Sequence, residues 1–254
     1  MGLFDPLAIR LFTYSPIHRF TYSPIHLSTD SPIRTRSPSL TSPFAQNGSD
    51  EPPALRAFGR SLAFQRPPLC PEIGLWLLDD QVDLESGCLG LGHLQPPPYW
   101  AFCWGSGQAM GRFLLDHPER VRGQRVIDFG AGSGVAGIAA GLAGAASVTA
   151  VDTDPEARAA TLHNAASNGV ELAARSSLPD DPEEWDLLLA SDVLYEPSQL
   201  GHLRALAQGG RPVLLSDPER PSSPRLDHPA QARYAVRTLP DVDSPAKSAA
   251  IFLL

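Results

Sequence analysis

The chain has 254 residues, of which 43% are hydrophobic, and a formal net charge of -8 at pH 7. This hydrophobic content is ample for a packed core, in one large domain or two small ones. The negative charge argues against a general nucleic-acid-binding protein, and the longest apolar run, residues 135–146, is too short to span a membrane.

The first part of the chain has low complexity. The heptapeptide Phe-Thr-Tyr-Ser-Pro-Ile-His occurs at residues 12–18 and again at 20–26, and Ser-Pro then recurs. Frequent proline blocks a regular helix, so we expect residues 1–52 to form a disordered Ser/Pro-rich extension and residues 53–254 to form the folded domain. A targeting peptide is the alternative, because the segment carries four arginines, but its prolines would break the amphipathic helix of a mitochondrial address.

An aromatic cluster precedes the first predicted helix of the folded part. A short apolar segment at residues 73–78 is followed by three prolines, then by the cluster at 99–104 and by helical spacing at 108–116. Trp104 ends the cluster, and the adjacent Gly105 and Gly107 permit close backbone approach. Trp104 is therefore a candidate pocket residue, with ordinary core packing as the alternative.

The most informative pattern is a strand, a glycine loop, a helix and a second strand that ends in an acid. The loop contains Gly130, Gly132 and Gly134, which lack a Cβ and let backbone N–H groups approach a ligand at the start of the next helix. Asp152 lies about 20 residues further on, where such folds place the carboxylate that accepts hydrogen bonds from ribose hydroxyls. The pattern predicts a site for a nucleoside cofactor.

The acid before the loop favours one cofactor over the others. Residues 132–137 also satisfy G-x-G-x-x-G, a weak dinucleotide signal when it stands alone. Asp128, however, would face a pyrophosphate unfavourably, whereas it can accept from the ammonium of the methionine moiety of S-adenosylmethionine. We therefore predict an S-adenosylmethionine site with these cofactor-binding residues besides Trp104: Asp128, Gly130, Ala131, Gly132, Gly134, Asp152 and Thr153.

The remaining elements alternate between helix and strand. Asp154 reads as the N-cap of a helix with Leu162 and Ala165 on one face, and Asn168-Gly169 reads as its end. A strand near 170–175 is weakly indicated. The alternation predicts an α/β fold, a mostly parallel sheet with helices on both faces. The later predicted elements are strands at 186–192 and 212–216, a helix at 197–208, and a closing pair at 233–239 and 249–254.

The cysteines indicate neither a metal site nor a disulfide framework. Cys70, Cys88 and Cys103 show no C-x-x-C spacing and no paired histidines. We expect no metal and reduced thiols. The expected location is the cytoplasm for a bacterial protein and the mitochondrial matrix for a eukaryotic one.

From about residue 68 onward the chain carries a set of recognisable segments: Leu69-Cys-Pro-Glu-Ile73, Pro97-Pro-Tyr-Trp-Ala-Phe-Cys-Trp104, Gly107-Gln108, Val121-Arg-Gly123, Asp192-Val-Leu-Tyr195 and Ser216-Asp-Pro218. With these segments the chain resembles the seven-β-strand protein lysine methyltransferases, specifically the branch that acts on the electron-transfer flavoprotein beta subunit. Asp192-x-x-Tyr195 matches the Asp-x-x-Tyr motif of that group, in the position where amino-adenine methyltransferases carry Asn/Asp-Pro-Pro-Tyr/Phe.

The resemblance implies a Rossmann-like class I fold with a mostly parallel seven-stranded sheet and methyl transfer to lysine. It implies a protein substrate, with the electron-transfer flavoprotein beta subunit favoured, and we expect a monomer that binds neither nucleic acid nor membrane. Asp192 would orient the incoming ammonium, and Tyr195 would supply a hydroxyl acceptor or an aromatic wall. The alternatives are a turn cap for Asp192 and core packing for Tyr195.

The sequence departs from the family pattern near the fifth strand. The usual Gly-Asp-Pro-Gly-Arg is here Ser216-Asp-Pro-Glu219-Arg220, so Glu219 replaces a glycine and could reshape the substrate side of the pocket. Methylation of another protein such as ribosomal protein L11, methylation of a small amine such as nicotinamide, and non-catalytic cofactor binding remain as alternatives.

Overall fold

The computed structural model describes residues 62–79, 98–196, 198–241 and 247–254. The predicted disordered extension, its boundary at residue 52 and Cys88 lie outside the described residues. Cys70 and Cys103 are both buried free thiols.

Within the described residues, seven strands form one sheet, and two more form a separate hairpin. The hairpin consists of β1 (Leu62–Gln65) and β2 (Leu75–Leu78), which run antiparallel. The strands of the sheet are β3 (Arg125–Phe129), β4 (Ser147–Val151), β5 (Ala173–Arg175), β6 (Leu187–Ser191), β7 (Val213–Asp217), β8 (Ala230–Ala235) and β9 (Ser248–Leu253).

The order of the strands in the sheet is β5-β4-β3-β6-β7-β9-β8. The five strands from β3 to β7 are mutually parallel, whereas β9 runs antiparallel to both β7 and β8. The predicted mostly parallel seven-stranded sheet is thus confirmed. The order reverses between β3 and β6, since β4 continues on one side of β3 and β6 lies on the other. Ligands bind at such reversals, beyond the carboxyl ends of the strands.

Helices cover both faces of the sheet, as predicted. Alternate side chains of a strand point to opposite faces, so on β6 Leu187 and Leu189 enter one core cluster and Leu188 and Ala190 the other. The helices are α1 (Gly105–Asp116), α2 (Val135–Leu142), α3 (Pro155–Ser167) and α4 (Ser198–Gln208). Residues of α1 and α2 pack in the first cluster and residues of α4 in the second.

The boundaries of α3 are as predicted. The Asp154 side chain caps the helix by accepting from the backbone N–H of Glu156. Leu162 is 43% exposed, whereas Ala165 is buried, so the helix face that carries them is only partly buried. The buried side of α3 is made instead by small and polar side chains: Ala157, Ala160, Thr161, Asn164 and Ala165.

The sequence missed β1 and misplaced β8. The strand predicted at 233–239 is observed at Ala230–Ala235, so both its start and its end were placed too late. Leu239 forms a two-way backbone bridge with Cys103, at 2.7 and 3.0 Å, and so leaves the β8 ladder. Helix α1 begins at Gly105 rather than at Gln108 because Trp104 takes an extended conformation directly before it. Among the residues that the structure describes, no helix is both long and apolar enough to cross a bilayer.

Candidate functional site

The glycine loop and the two acids Asp152 and Asp192 lie at one edge of the sheet. The glycine loop follows β3, Asp152 follows β4 and Asp192 follows β6, and these three strands are neighbours. Since parallel strands end at the same edge, the loop and both acids flank the reversal of strand order. A Cβ placed on Gly130 would lie 2.9 Å from a methyl carbon of Val193, so the loop directly contacts the segment that carries Asp192 and Tyr195.

The glycine loop is folded so that one side stays open. Gly132 and Gly134 have φ angles of 54° and 84°, in the left-handed region that favours glycine. At Gly134 a Cβ would lie 2.9 Å from the Thr161 side chain, so this glycine lets α3 pack against the loop. At Gly132 the nearest atom to a Cβ would be a carbonyl oxygen at 4.0 Å, so the outer side of the loop is free for the close approach of a ligand. This open cradle fits an adenosyl cofactor.

Two buried polar side chains of α3 donate hydrogen bonds to carbonyl groups of the glycine loop. The Thr161 hydroxyl donates to the Gly132 carbonyl at 2.9 Å, and the Asn164 amide donates to the Ser133 carbonyl at 2.9 Å. The Asn164 side-chain oxygen also accepts from the backbone N–H of Trp76 in β2, at 2.8 Å. This support was not predicted from the sequence, although two polar residues on the small-residue face of a helix indicate that they bond to something buried.

Replacing Asn164 by alanine should lower the free energy of unfolding by about 2–4 kcal/mol, because the buried Trp76 N–H and Ser133 carbonyl lose their partner. Urea denaturation of the cofactor-free protein measures the change. The matched control is Ser167→Ala on the same helix, which removes only an exposed hydrogen bond to the His163 carbonyl. Equal midpoints for the two variants would contradict the anchoring role.

Asp152 closes the loop at the end of β4. Its Oδ2 accepts from the Gly132 N–H and its Oδ1 from the Asp154 N–H, both at 3.0 Å. A carboxylate has about four lone-pair sites, so both oxygens can still accept from hydroxyls of a ribose. Burial raises the pKa of Asp152 above its ordinary value. Thr153 is exposed, and its carbonyl accepts from Arg158 at 3.0 Å.

Asp128 lies beneath the loop. Its carboxyl is 2% exposed, and Oδ2 accepts from the backbone N–H of Gly137 in α2 at 2.9 Å. A Cβ on Gly137 would approach that oxygen to 2.9 Å, so the glycine makes room for the acid. The Asp128 carboxylate thus bonds to the first turns of α2, which favours a role for Asp128 in positioning the glycine loop. The direct contact of Asp128 with a ligand ammonium stays a prediction.

Burial raises the pKa of Asp128 to about 7. Because the folded protein then holds this proton more tightly than the unfolded chain, the contribution of Asp128 to stability is present at low pH and is lost as pH rises through 7. We expect the unfolding free energy to fall by about 1.4 kcal/mol per pH unit at most between pH 4 and 7. Urea titrations from pH 5 to 8 should show a smaller fall for Asp128→Asn, and an identical pH profile would contradict this.

An aromatic cluster lies at the start of α1. Trp104 is half-buried, its indole N–H donates to the Tyr99 carbonyl at 3.0 Å, and its ring centroid lies 6.1 Å from that of Tyr99 and 5.7 Å from that of Phe102. Trp100, in the same cluster, is buried. Ala131 is buried in the loop, where its N–H donates to the Val151 carbonyl at 3.3 Å.

The two candidate catalytic residues, Asp192 and Tyr195, differ in their exposure to solvent. The Asp192 side chain is 9% exposed and forms a bidentate ion pair with Arg220, at 2.5 and 3.0 Å. Tyr195 is 80% exposed, which excludes the core-packing alternative for its ring. Asp152 and Asp192, the acids that follow β4 and β6, both lie within electrostatic range of the Tyr195 hydroxyl.

No role was predicted for Asp217, the last residue of the neighbouring strand β7, or for Arg220, which follows that strand. Asp217 is buried, which raises its pKa, and its Oδ1 accepts from the Glu219 N–H at 2.7 Å. Glu219 takes φ 52°, the conformation that a glycine would adopt without strain, and its carboxylate pairs with Arg233 of β8. The signal that could have identified Asp217 is its position at a strand end, like the other acids.

No cluster of three or more histidine, cysteine or acidic side chains suited to a metal ion occurs within the described part of the chain. The buried thiols are inert, since burial raises the pKa of Cys70 to about 12.

Comparison with known proteins points to methyltransferases. Residues 109–196 match the family model of ribosomal protein L11 methyltransferase (PrmA). The electron transfer flavoprotein beta subunit lysine methyltransferase of Xenopus laevis is 38% identical over 175 residues, which cover 63% of this chain and 70% of that protein. The enzyme of the same description from Danio rerio is 38% identical over 133 residues, which cover 49% of this chain and 52% of that protein.

The ribosomal protein L11 methyltransferase of Methylococcus capsulatus is similar over a shorter region. It is 42% identical over 101 residues, which cover 38% of this chain and 34% of that protein. The match to the PrmA family model contains the glycine loop, Asp152, Asp192 and Tyr195.

Proposed function

Since the chain belongs to the family of the electron transfer flavoprotein beta subunit lysine methyltransferases, we propose that it transfers a methyl group from S-adenosylmethionine to a lysine of an electron transfer flavoprotein beta subunit. We also propose that the substrate is a protein and that the enzyme acts as a monomer. The cellular location, cytoplasmic or mitochondrial, stays a prediction.

The observation that carries the proposal is the convergence of two half-sites at one edge of the sheet. One half is the open glycine loop with Asp152, which suits an adenosyl group. The other half is Asp192 with the exposed Tyr195, which suits an amine. The contact between Gly130 and Val193 joins the halves, so that a bound cofactor and a bound lysine would meet there.

The chemistry is an in-line displacement in which the lysine nitrogen forms a bond to the methyl carbon while the carbon–sulfur bond breaks. When bound, the cofactor supplies an electrophilic methyl on a sulfonium. The nitrogen needs a free lone pair, so one proton of the ammonium must leave to water before the transfer. In this proposal Asp192 holds the nitrogen in line and Tyr195 forms an aromatic wall for the cationic head or accepts a hydrogen bond from it.

On the cofactor side, the residues that would bind are those of the loop and its neighbours. The open side of the loop at Gly132 and the start of α2 would face the methionine part of the cofactor, and Asp152 would accept from the ribose hydroxyls. Trp104 would close the pocket beside the loop. Asp128 would keep the loop in shape through Gly137.

Ribosomal protein L11 is a second candidate substrate, because the matching family model is described by that activity. The stretch shared with the Methylococcus capsulatus enzyme covers only 34% of that enzyme. The longer match to the Xenopus laevis protein favours the flavoprotein subunit.

The two candidates separate in one experiment. The purified protein is incubated with radiolabelled S-adenosylmethionine and either the flavoprotein beta subunit or ribosomal protein L11, and the products are mapped by mass spectrometry. We expect methylated lysine on the flavoprotein subunit and loss of label when that lysine is replaced by arginine. Label on L11 alone would favour the second candidate, and label only in small amines would contradict both.

A further inference from the structure

The pairing of Asp192 with Arg220 is the least expected feature of the site. The two guanidinium nitrogens Nη1 and Nη2 contact Oδ1 and Oδ2 at 2.5 and 3.0 Å. A fork-to-fork pair of this kind fixes the plane of the carboxylate as well as its charge. Only 20% of the Arg220 side chain and 9% of the Asp192 side chain are exposed, so solvent screens the pair little.

The chain between β7 and Arg220 forms a turn that positions the Arg220 guanidinium beside Asp192. Asp217 accepts from the N–H of Glu219, and the N–H of Ser223 donates to the Arg220 carbonyl at 2.8 Å. Asp192 and Glu219 both have φ in the left-handed region, at 57° and 52°. Such strain in non-glycine residues persists only where the surroundings enforce it, so the turn and the acid are held in their mutual orientation.

The pair limits what Asp192 can do chemically. Each oxygen gives one lone-pair direction to Arg220 and keeps another for an incoming N–H. The paired carboxylate can therefore orient an ammonium by accepting one hydrogen bond on each oxygen. In this proposal Asp192 orients the nitrogen, and the proton of the target ammonium leaves to water.

We propose that Arg220 is a positioning residue for methyl transfer, which acts by fixing the Asp192 carboxylate in the plane that aligns the target lysine nitrogen. This inference rests on the proposed function, because it assigns Arg220 a part in the same lysine site. Arg220 itself does not touch the substrate in this arrangement.

The same turn offers a matched control. Glu219 and Arg233 form a neighbouring ion pair that involves no site residue, and 56% of the Arg233 side chain is exposed. Arg233→Gln therefore removes the guanidinium that pairs with Glu219 and leaves the pair of Asp192 and Arg220 in place. Arg220→Gln removes the other, and Arg220→Lys keeps the charge but loses the two-pronged geometry.

The test is a double-mutant cycle on the full chain with the flavoprotein beta subunit as acceptor. We expect Arg220→Gln to lower kcat about 10- to 100-fold, with KM for the acceptor and the affinity for S-adenosylhomocysteine both within about twofold of wild type. Arg220→Lys should recover part of the loss, and Arg233→Gln should stay within about twofold. The double variant Asp192→Asn/Arg220→Gln should be no slower than Asp192→Asn alone.

Several results would overturn the inference. If the losses of the two single variants multiplied in the double variant, Arg220 would act independently of Asp192. If Arg233→Gln were as slow as Arg220→Gln, or if Arg220→Gln weakened S-adenosylhomocysteine binding in proportion to kcat, the role would be structural. A wild-type protein that methylates no acceptor would instead contradict the proposed function, and wild-type activity is therefore measured first.

Discussion

Replacing Asp192 by asparagine should lower kcat for lysine methylation by about a hundredfold to a thousandfold, because the orienting charge at the amine site is lost. Asparagine keeps the shape of the side chain, and it tolerates the φ of 57° at this position better than most residues. Cofactor binding should change little, since the Asp192 carboxylate bonds to Arg220 and the glycine loop is held by Asp152, Thr161 and Asn164. Steady-state kinetics and calorimetric titration with S-adenosylhomocysteine measure the two quantities separately.

Glu196→Gln is the control for this prediction. It removes a carboxylate four residues further along the same segment, and its observed partner is the Ser198 hydroxyl at 3.0 Å. We expect wild-type kcat for this variant. A kcat near wild type for Asp192→Asn would show that the ion pair with Arg220 is structural and that another group aligns the lysine.

The second large effect is expected at Asp152. Replacement by alanine should raise the Kd for S-adenosylhomocysteine about a hundredfold or more, because each charge-assisted hydrogen bond to a ribose hydroxyl contributes about 1.5–3 kcal/mol. The variant also removes the acceptor of the Gly132 N–H, which loosens the loop that shapes the pocket. Calorimetric titration and the thermal shift on adding the ligand check this result.

Asp154→Asn is the control that distinguishes the ribose contact of Asp152 from the local negative charge, because Asp154 lies two residues further on. Asn retains the side-chain oxygen that caps α3 through the Glu156 N–H, while the negative charge is removed. We expect its Kd to stay within about threefold of wild type. Equal losses for the two variants would mean that the local negative charge, rather than the ribose contact, determines affinity.

The local part of the site could be predicted from the sequence. The glycine loop, the capped helix after Asp154 and the acids at strand ends are each encoded within a few neighbouring residues, where backbone preferences and side-chain periodicity act directly. The fold class followed from the alternation of these elements. Their meeting at one edge of the sheet required only the rule that parallel strands end together.

The contacts between distant residues could not be predicted. Arg220 lies 28 residues after Asp192, and the two meet only because β6 and β7 are adjacent in the sheet. Likewise, Asn164 joins the glycine loop to β2, a partner 88 residues away. Neither contact follows from a repeating pattern of residues in the sequence. Each depends on how the strands and helices pack, which helix and strand propensities do not determine. The predicted end of β8 failed for the same reason, since Leu239 bonds to Cys103, which is distant in the sequence.

The position of β9 between β7 and β8 constrains the order in which the sheet can form during synthesis. In the described residues β8 pairs only with β9, yet β8 leaves the ribosome first. Until β9 emerges, β7 exposes an unpaired edge and β8 has no neighbour, and such edges invite wrong pairing with other chains. The nascent chain is therefore most prone to aggregation in the interval between these two strands, after the cofactor loop has already emerged.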